Sequence, residues 1–308
     1  MWSFSWYSGP VEQAFEAKYP FLKLKVVDLS TELEGRVQEE YKAKRYNVDV
    51  IEIPVRRMLR LVESGIIQEY PFPNWPNTWP DQPKHNFFRQ HILSWYAPVY
   101  NTTQITAAEA PKTWDDLANA RWVGKSITTI SAADAFIGHT YMNGDLTAAG
   151  VNWDKTTALW KKIQDTAKPS IGAGFKAPLD LVVAGDRALM LMATNTITNN
   201  LLRRGAPVAY APFKQVPAAA FSIGLAKNPP NSNAAQLLID FITSEVGIAV
   251  RADTFPTATL HPEAAKRAYD NQFLKAQGIQ IAMPPIEFLN EQMMLKGDEV
   301  WIKDILKR

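Results

Sequence analysis

Cysteine is absent from all 308 residues of the chain. Without thiols the protein cannot use a cysteine nucleophile, a CxxC redox pair or a thiolate metal site. The absence is also compatible with an oxidising compartment, where a stray thiol would be a liability.

A large excess of charge of one sign is also missing. The chain has 33 basic and 31 acidic residues and a net charge of +2. No basic block or polybasic helix stands out, so neither nucleic acid nor a membrane surface is expected as a partner. No apolar run approaches the roughly 20 residues that a membrane-spanning helix needs. The start of the chain has no charged segment leading into an apolar one, so we expect that an exported form has lost its signal peptide.

Familiar catalytic and metal-binding motifs are lacking as well. The chain contains no G-x-S-x-G, no H-E-x-x-H and no calcium-binding loop. The glycine-rich segment 170–174 lacks the Lys-Ser/Thr ending of a nucleotide-binding loop. The histidines do not follow zinc-ligand spacing, and each is interpreted as a surface or packed residue. We therefore expect no catalysis, no cofactor and no metal site. The histidines are His85, His91, His139 and His261.

What the sequence does contain is typical of a soluble α/β protein. Hydrophobic residues make up 46% and charged residues 21%, and the length suits two lobes of about 100–200 residues each. The first 65 residues follow a β-α-β-α-β-α pattern, which predicts a parallel sheet with helices on both faces. Ligands bind beyond the carboxyl ends of such strands. Candidate loops are therefore 7–10, 28–31 and 54–55.

The middle of the chain separates two such patterns. Residues 71–98 are rich in proline and tryptophan and are predicted to form an ordered excursion over the surface. A second α/β pattern begins near Asn101, with strands predicted at 125–130, 188–192 and 219–226. A last helical segment is predicted at about 287–306.

Several short phrases, in this order and spacing, resemble the periplasmic solute-binding proteins of the ferric-iron, polyamine, thiamine and phosphonate importers. Each phrase is short, but together they cover nearly the whole chain. The phrases are FEAKYP at 15–20, VDV at 48–50, LVESG at 61–65, YN at 100–101, APKTWDDL at 110–117, WVGK at 122–125, AGD at 184–186 and the helix at 234–247.

The resemblance implies a two-lobed periplasmic-binding-protein fold of the Venus-flytrap, type II, kind, with two parallel-type mixed sheets and crossovers between the lobes. Lobe 1 is expected to comprise residues 1–101 and about 217–308, and lobe 2 residues 102–216, with the ligand cleft between them. Hinge motion is expected at Tyr100, Asn101, Val216 and Pro217.

The implied function is that of the substrate-binding component of an ABC importer. Such a protein is a periplasmic or extracellular monomer that closes on a small solute and delivers it to a membrane permease. The alternatives from other classes are a two-lobed α/β enzyme and an effector-sensing module, since a fold does not settle function.

The identity of the solute depends on segment 192–200. Iron-binding members of the group use two adjacent tyrosines here, but this chain reads MATNTITNN. Ferric iron needs anionic oxygen or imidazole ligands, and neutral Thr and Asn side chains replace them poorly. A polar, anionic solute such as a phosphonate, phosphate ester or carboxylate is therefore favoured, with ferric iron bound by atypical ligands as the alternative.

The candidate site residues each have a second, structural interpretation. Thr194, Asn195 and Thr196 can hydrogen-bond a solute at a helix N-terminus, but simple capping of that helix explains the same residue types. Ser131 and Asp134 present the same choice, and Asp134 could instead meet an ammonium group. The predicted ligand-binding residues are Tyr7, Ser8, Gly9, Ser30, Thr31, Ser131, Asp134, Gly172, Thr194, Asn195 and Thr196.

Overall fold

The chain forms two compact units, each built from two stretches of sequence. Unit 1 comprises Met1–Leu93 and Ala220–Gln272, and unit 2 comprises Ser94–Ala219 and Phe273–Arg308. The computed structural model describes residues 1–3, 9–29, 32–75, 86–144, 152–254, 257–260, 262–266, 268–289 and 291–307.

Strands and helices alternate along most of the described chain. The strands are β1 (Trp2–Ser3), β2 (Val27–Asp28), β3 (Val50–Pro54), β4 (Ile67–Gln68), β5 (Phe88–Asn101), β6 (Ser126–Thr129), β7 (Ser170–Gly172), β8 (Leu189–Thr194), β9 (Val208–Tyr210), β10 (Gln215–Ala226), β11 (Ala258–Thr259) and β12 (Gln280–Ala282). The helices are α1 (Gly9–Lys18), α2 (Leu33–Lys42), α3 (Val55–Glu63), α4 (Ala133–Met142), α5 (Trp153–Ala167), α6 (Lys176–Ala184), α7 (Asn195–Arg203), α8 (Ser232–Ile242), α9 (Glu245–Thr254), α10 (Pro262–Ala265), α11 (Tyr269–Gln277) and α12 (Glu291–Glu299), which continues into a π-helical turn at Val300–Ile305.

The sheet of unit 1 begins with parallel strands, as the pattern of the first 65 residues predicts. β1 pairs in parallel with both β2 and β3, and β10 then pairs antiparallel with β3. β3 is buried along its whole length. Phe15 of α1 packs edge-on against Phe241 of α8, with ring centroids 5.6 Å apart, so these two helices help to close the core.

The sheet of unit 2 has the strand order β5-β8-β6-β7. β6 is parallel to both β7 and β8, whereas β5 is antiparallel to β8. β8 reads LMLMAT and is buried throughout, as expected of a central strand that is covered on both faces. Leu179 and Val182 of α6 pack with Met190 in the same core.

The C-terminal segment lies in a different unit from the one that the sequence predicted. Residues 273–308 were expected in lobe 1, but they form part of unit 2. Trp301 is fully buried there, with ring centroids 5.6 Å from Phe136 and 5.2 Å from Trp160. Its indole N–H donates to the carbonyl of Thr129 over 3.3 Å. Burial of this large side chain ties the segment to unit 2.

The expected excursion at 71–98 also differs in part from the structure, because β5 already begins at Phe88. Nearly every residue of β5 is buried, so the strand lacks the alternation of polar and apolar residues by which strands are recognised. The proline-rich stretch 76–85 lies outside the described residues.

The predicted hinge residues all lie inside unit 2. The chain passes between the units at Leu93–Ser94, Ala219–Ala220 and Gln272–Phe273. Asn101 instead donates its side-chain amide to the carbonyl of Val182 over 2.7 Å. Val216 and Pro217 of β10 pair with β12. Since Tyr100 also pairs with β8 and β9, hydrogen bonds within one unit hold all four positions.

No single helix in the described ranges is long and apolar enough to cross a membrane. The helix pair Ser232–Ile242 and Glu245–Asp253, bent by 66°, has the length and composition of a membrane span, but these two properties alone are weak evidence for one. Its first helix buries Leu238, Ile239 and Phe241 in the core of unit 1, which accounts for its apolar character.

Candidate functional site

Three helices of unit 2 begin at one edge of its sheet. β6, β7 and β8 run parallel, so their carboxyl ends lie at the same edge. α4, α6 and α7 start within a few residues of those three strand ends. Crevices beyond the carboxyl ends of parallel strands are the usual ligand sites of α/β sheets.

These three helices have no side-chain cap at the N-terminus. The N-cap residues Ala132 of α4 and Phe175 of α6 carry no capping group, and Thr194 of α7 carries one but does not use it. Elsewhere in the same unit, α5 is capped normally, because Asn152 accepts from the backbone N–H of Lys155. An uncapped N-terminus presents N–H groups and the positive end of the helix dipole, which together favour an anion.

The side chain of Thr194 does not cap α7. Its hydroxyl lies 2.9 Å from the hydroxyl of Ser94 and 3.2 Å from that of Thr196. The side-chain oxygen of Asn195 accepts from the backbone N–H of Trp95 over 3.1 Å, so it does not cap α7 either. Thr194 and Asn195 are buried, whereas Thr196 is half-buried at the outer end of this group.

Thr129 joins two of the loops at this edge, a role that a threonine at a strand end does not reveal in the sequence alone. Its hydroxyl donates to the carbonyl of Gly174 over 2.5 Å and accepts from the N–H of Ser131 over 3.1 Å. Ser131 and Asp134, both predicted site residues, lie half-buried at the start of α4. Thr129 therefore fixes the loop after β6 against the loop after β7.

Gly172 has a structural reason to be glycine. A Cβ atom at this position would lie only 2.5 Å from the ring of Pro178 in α6. The missing side chain lets α6 pack closely against β7. This packing accounts for the residue type, and contact between Gly172 and a solute stays a prediction.

Unit 1 has a corresponding edge, formed by the carboxyl ends of its parallel strands. Gly9 opens α1, and α3 begins directly after β3 with Pro54 as an N-cap that makes no side-chain hydrogen bond. The other predicted site residues of this unit, Tyr7, Ser8, Ser30 and Thr31, lie outside the described residues.

A buried ionic cluster, which the sequence did not reveal, lies near the edge of unit 1. Glu52 of β3 accepts from the hydroxyl of Ser3 over 2.6 Å. Its other oxygen lies 2.9 Å from a guanidinium nitrogen of Arg251 and 3.2 Å from the imidazole of His91. Burial lowers the pKa of Arg251 to about 9, which leaves it protonated at neutral pH. Opposite charges thus compensate each other inside unit 1, as buried charges require.

Among the described residues, neither a metal-binding cluster nor the groove beside α2 and α3 lies at these edges. Over the described ranges, no group of three or more His, Asp or Glu side chains could hold a metal ion. A groove of about 530 Å³, lined in part by Tyr41, Tyr46 and Lys227, lies near the start of β3 and the ends of α2 and α3. That is the opposite edge of the unit 1 sheet from its carboxyl ends.

The family model described as bacterial extracellular solute-binding protein matches residues 49–281. A search of curated protein sequences found no match.

Solved structures resemble the whole chain. Iron-bound HitA from Pseudomonas aeruginosa is 14% identical with a TM-score of 0.75, covering 97% of both chains. AfuA from Actinobacillus pleuropneumoniae, with exogenous fructose 6-phosphate bound, is 15% identical with a TM-score of 0.78, covering 100% of this chain and 98% of its own. The substrate-binding protein of an ABC transporter from Agrobacterium tumefaciens is 14% identical with a TM-score of 0.77, covering 99% and 94%. At such low identity the likeness shows the fold, which is that of two-lobed periplasmic binding proteins.

Proposed function

The chain belongs to the bacterial extracellular solute-binding proteins that serve ABC importers, and from this premise we propose that it captures a small polar anion. The anion binds at the carboxyl edges of the sheets, is retained by closure of the two units, and is delivered to a membrane permease. The protein works as a monomer in the periplasm or outside the cell.

The observation that carries the anion proposal is the set of uncapped helix N-termini in unit 2. A missing cap costs about 1 kcal/mol of stability, and α4, α6 and α7 all lack one while α5 keeps its own. An anion held at this edge would supply hydrogen-bond acceptors for the first turns of these helices. The stability that the protein lacks because these caps are missing is then regained when the solute binds.

The side chains at this edge favour an oxyanion over ferric iron. Thr196 is half-buried and carries a hydroxyl group, which suits phosphoryl or carboxylate oxygens. HitA is iron-bound and AfuA is bound to fructose 6-phosphate, so the family fold is compatible with either class. Ferric iron needs harder, charged ligands than the segment 192–200 provides.

We also propose that the solute is bound without chemical change. The family is one of transport binding proteins, and binding requires only a difference in affinity between open and closed states. An effector-sensing module would use the same differential affinity, but its readout would be a partner other than a permease.

A thermal-shift screen tests the proposal. The probes are fructose 6-phosphate, phenyl phosphate, citrate, acetate and ferric citrate, each with and without an iron chelator. A phosphoryl or carboxylate probe at about 100 times its Kd should stabilise the protein by about 2.7 kcal/mol, regardless of chelator. Mass spectrometry should recover the probe intact.

The screen also separates the alternatives. Stabilisation by ferric citrate alone, abolished by chelator, would replace the anion with ferric iron. A converted probe would establish an enzyme. Asn152→Ala, which removes the cap of α5 away from the site, serves as a control that lowers stability and leaves the probe affinity unchanged.

A further inference from the structure

The groove of about 530 Å³ in unit 1 lies at the edge of the sheet where β3 begins, and we call it the tyrosine groove. Three segments that are distant in sequence line it: the end of α2, the end of α3 and the segment after β10. Its volume is within the range of about 300–1,000 Å³ that is usual for ligand sites. The aromatic and polar lining includes Gln38, Tyr41, Lys42, Tyr46, Lys227 and Asn228.

Hydrogen bonds tie the walls of the tyrosine groove together. The phenol of Tyr41 donates to the carbonyl of Lys227 over 2.6 Å, which joins α2 to the segment after β10. The backbone N–H of Lys227 donates to the carbonyl of Ile66 over 2.7 Å, which joins that segment to the end of α3. A site whose walls are already held in place loses little conformational entropy when a partner binds.

An aromatic side chain is exposed in the tyrosine groove. The ring centroid of Tyr46 lies 5.1 Å from that of Tyr41, and the two rings meet edge-on at 75°. Tyr46 is 36% exposed, so a partner can bury further surface on it. Tyrosine is among the side chains that most often anchor contacts between proteins, because it buries a large area and loses little rotamer freedom.

Basic side chains surround the tyrosine groove. Three of them belong to the exposed segment 42–46, which reads KAKRY, and the fourth is Lys227. The ammonium group of Lys42 lies 3.0 Å from the carboxylate of Glu39, whereas the described part of the chain provides no ion pair for the other three cations. Positive charge is therefore in excess around the groove, and it attracts an acidic partner.

The end of α2 departs from the preferred sequence of a helix end, whereas the end of α3 follows it. The backbone N–H groups of Arg45 and Ile66 each donate to the carbonyl five residues earlier, over 2.8 Å and 2.9 Å, so both helices end in the same turn. The left-handed residue of this turn is Gly65 after α3, with φ 67°, but Lys44 after α2, with φ 56°. Glycine followed by an apolar residue is preferred here. Lys44 and Arg45 thus stand beside the tyrosine groove where local stability favours neither.

We propose that the tyrosine groove binds an extended acidic peptide segment of a partner protein. The side chains of Gln38 and Asn228 each carry donors and an acceptor, so they can pair with the peptide groups of such a segment. The ring of Tyr46 covers an apolar side chain of the segment. Because the four cations come from two separate parts of the chain, they suit carboxylates spaced along a peptide better than one compact ion. A concave groove also does not fit the flat surface of a membrane.

This peptide site is separate from the proposed solute site. It lies at the opposite edge of the unit 1 sheet from the carboxyl ends of the parallel strands. A peptide and a solute therefore use different residues, and the test of the peptide site does not depend on the identity of the solute.

Fluorescence anisotropy tests the proposal with two short labelled peptides, in which glutamate or glutamine alternates with leucine. At low salt the glutamate peptide should bind at least about tenfold more tightly than the glutamine peptide, and this advantage should shrink at about 1 M salt. Lys227→Gln should weaken binding of the glutamate peptide about threefold at low salt. Tyr46→Ala should weaken it about tenfold at either salt concentration, because the lost contact is apolar.

Two matched variants separate a role in binding from a role in folding. Lys44→Gly removes a cation beside the groove and relieves the left-handed backbone, so it should raise the melting temperature and weaken the glutamate peptide about threefold. Lys168→Gly makes the same change at the end of α5 in unit 2, where φ is 46°. It removes the same charge and should raise the melting temperature without changing the affinity for the peptide.

Several outcomes would overturn the proposal. Equal affinity for the two peptides, or no binding of either, would exclude an acidic peptide site. Equal weakening by Lys44→Gly and Lys168→Gly would show that only the overall charge of the protein matters. Binding of dextran sulfate or of anionic lipid vesicles, lost in Lys227→Gln while neither peptide binds, would assign the groove to a polyanionic polysaccharide or a membrane instead.

Discussion

At the scale of single residues, burial decides the chemistry of His139. The side chain is fully buried, and Nδ1 accepts from the indole N–H of Trp160 over 3.1 Å. Burial lowers the pKa of His139 from 6.5 to about 3 because the charged imidazolium would lose its hydration. The residue is therefore neutral in the folded protein.

This lowered pKa predicts a loss of stability in mild acid. Below pH 6.5 the imidazole of His139 is protonated in the unfolded chain, whereas in the folded chain it stays neutral until about pH 3. The stability that the neutral His139 contributes is therefore fully present above pH 6.5 and is lost as the pH falls. The free energy of unfolding should fall by about 2 kcal/mol by about pH 5. In His139→Gln, which keeps an acceptor for Trp160, urea denaturation should show a correspondingly flatter stability profile. An unchanged slope in that variant would contradict the assignment.

Gly172 gives a second prediction at this scale. Gly172→Ala should destabilise the protein by about 1–3 kcal/mol, because its Cβ would meet Pro178 at 2.5 Å. Gly35→Ala in α2 is the matched control, since nothing lies within 4 Å of the new atom, and it should stabilise by about 0.5 kcal/mol. Thermal unfolding distinguishes the two. Equal stability of both variants would show that α6 moves aside at no cost.

At the scale of elements, the capping pattern links stability to binding. Ala132→Ser adds a capping hydroxyl to α4, and it should stabilise the solute-free protein by up to about 1 kcal/mol. The same hydroxyl competes with a bound anion for the first N–H groups of the helix, so the affinity for phenyl phosphate should fall. A variant that gained stability and kept full affinity would mean that α4 does not take part in the site.

Local patterns predicted most elements, while long-range packing decided what they do. The apolar run near Val50 and the switch to helical spacing after it suffice to predict β3 and α3, since both depend on neighbours in sequence. Ser94 could not be found this way, because it meets Thr194 only when β5 and β8 lie side by side. A threonine that caps a helix and one whose hydroxyl bonds to a neighbouring strand can have the same local sequence, and only the structure separates them.

At the scale of the whole molecule, the C-terminal segment completes unit 2. Trp301→Ala should cost about 3–5 kcal/mol through the cavity it leaves beside Phe136 and Trp160. Hydrogen exchange should quicken first in α4 and α5, while α1 and α8 of unit 1 keep their protection. Faster exchange confined to α1 and α8 would instead support the assignment of this segment to the first lobe.

The discontinuity of both units has a consequence for the order in which the chain can fold. Unit 1 lacks β10 and the counter-charge of Arg251 until the ribosome has passed α9, and unit 2 lacks Trp301 until the final residues emerge. Neither core can close on a nascent amino-terminal fragment. We therefore expect that both units complete their folding only when synthesis is almost finished.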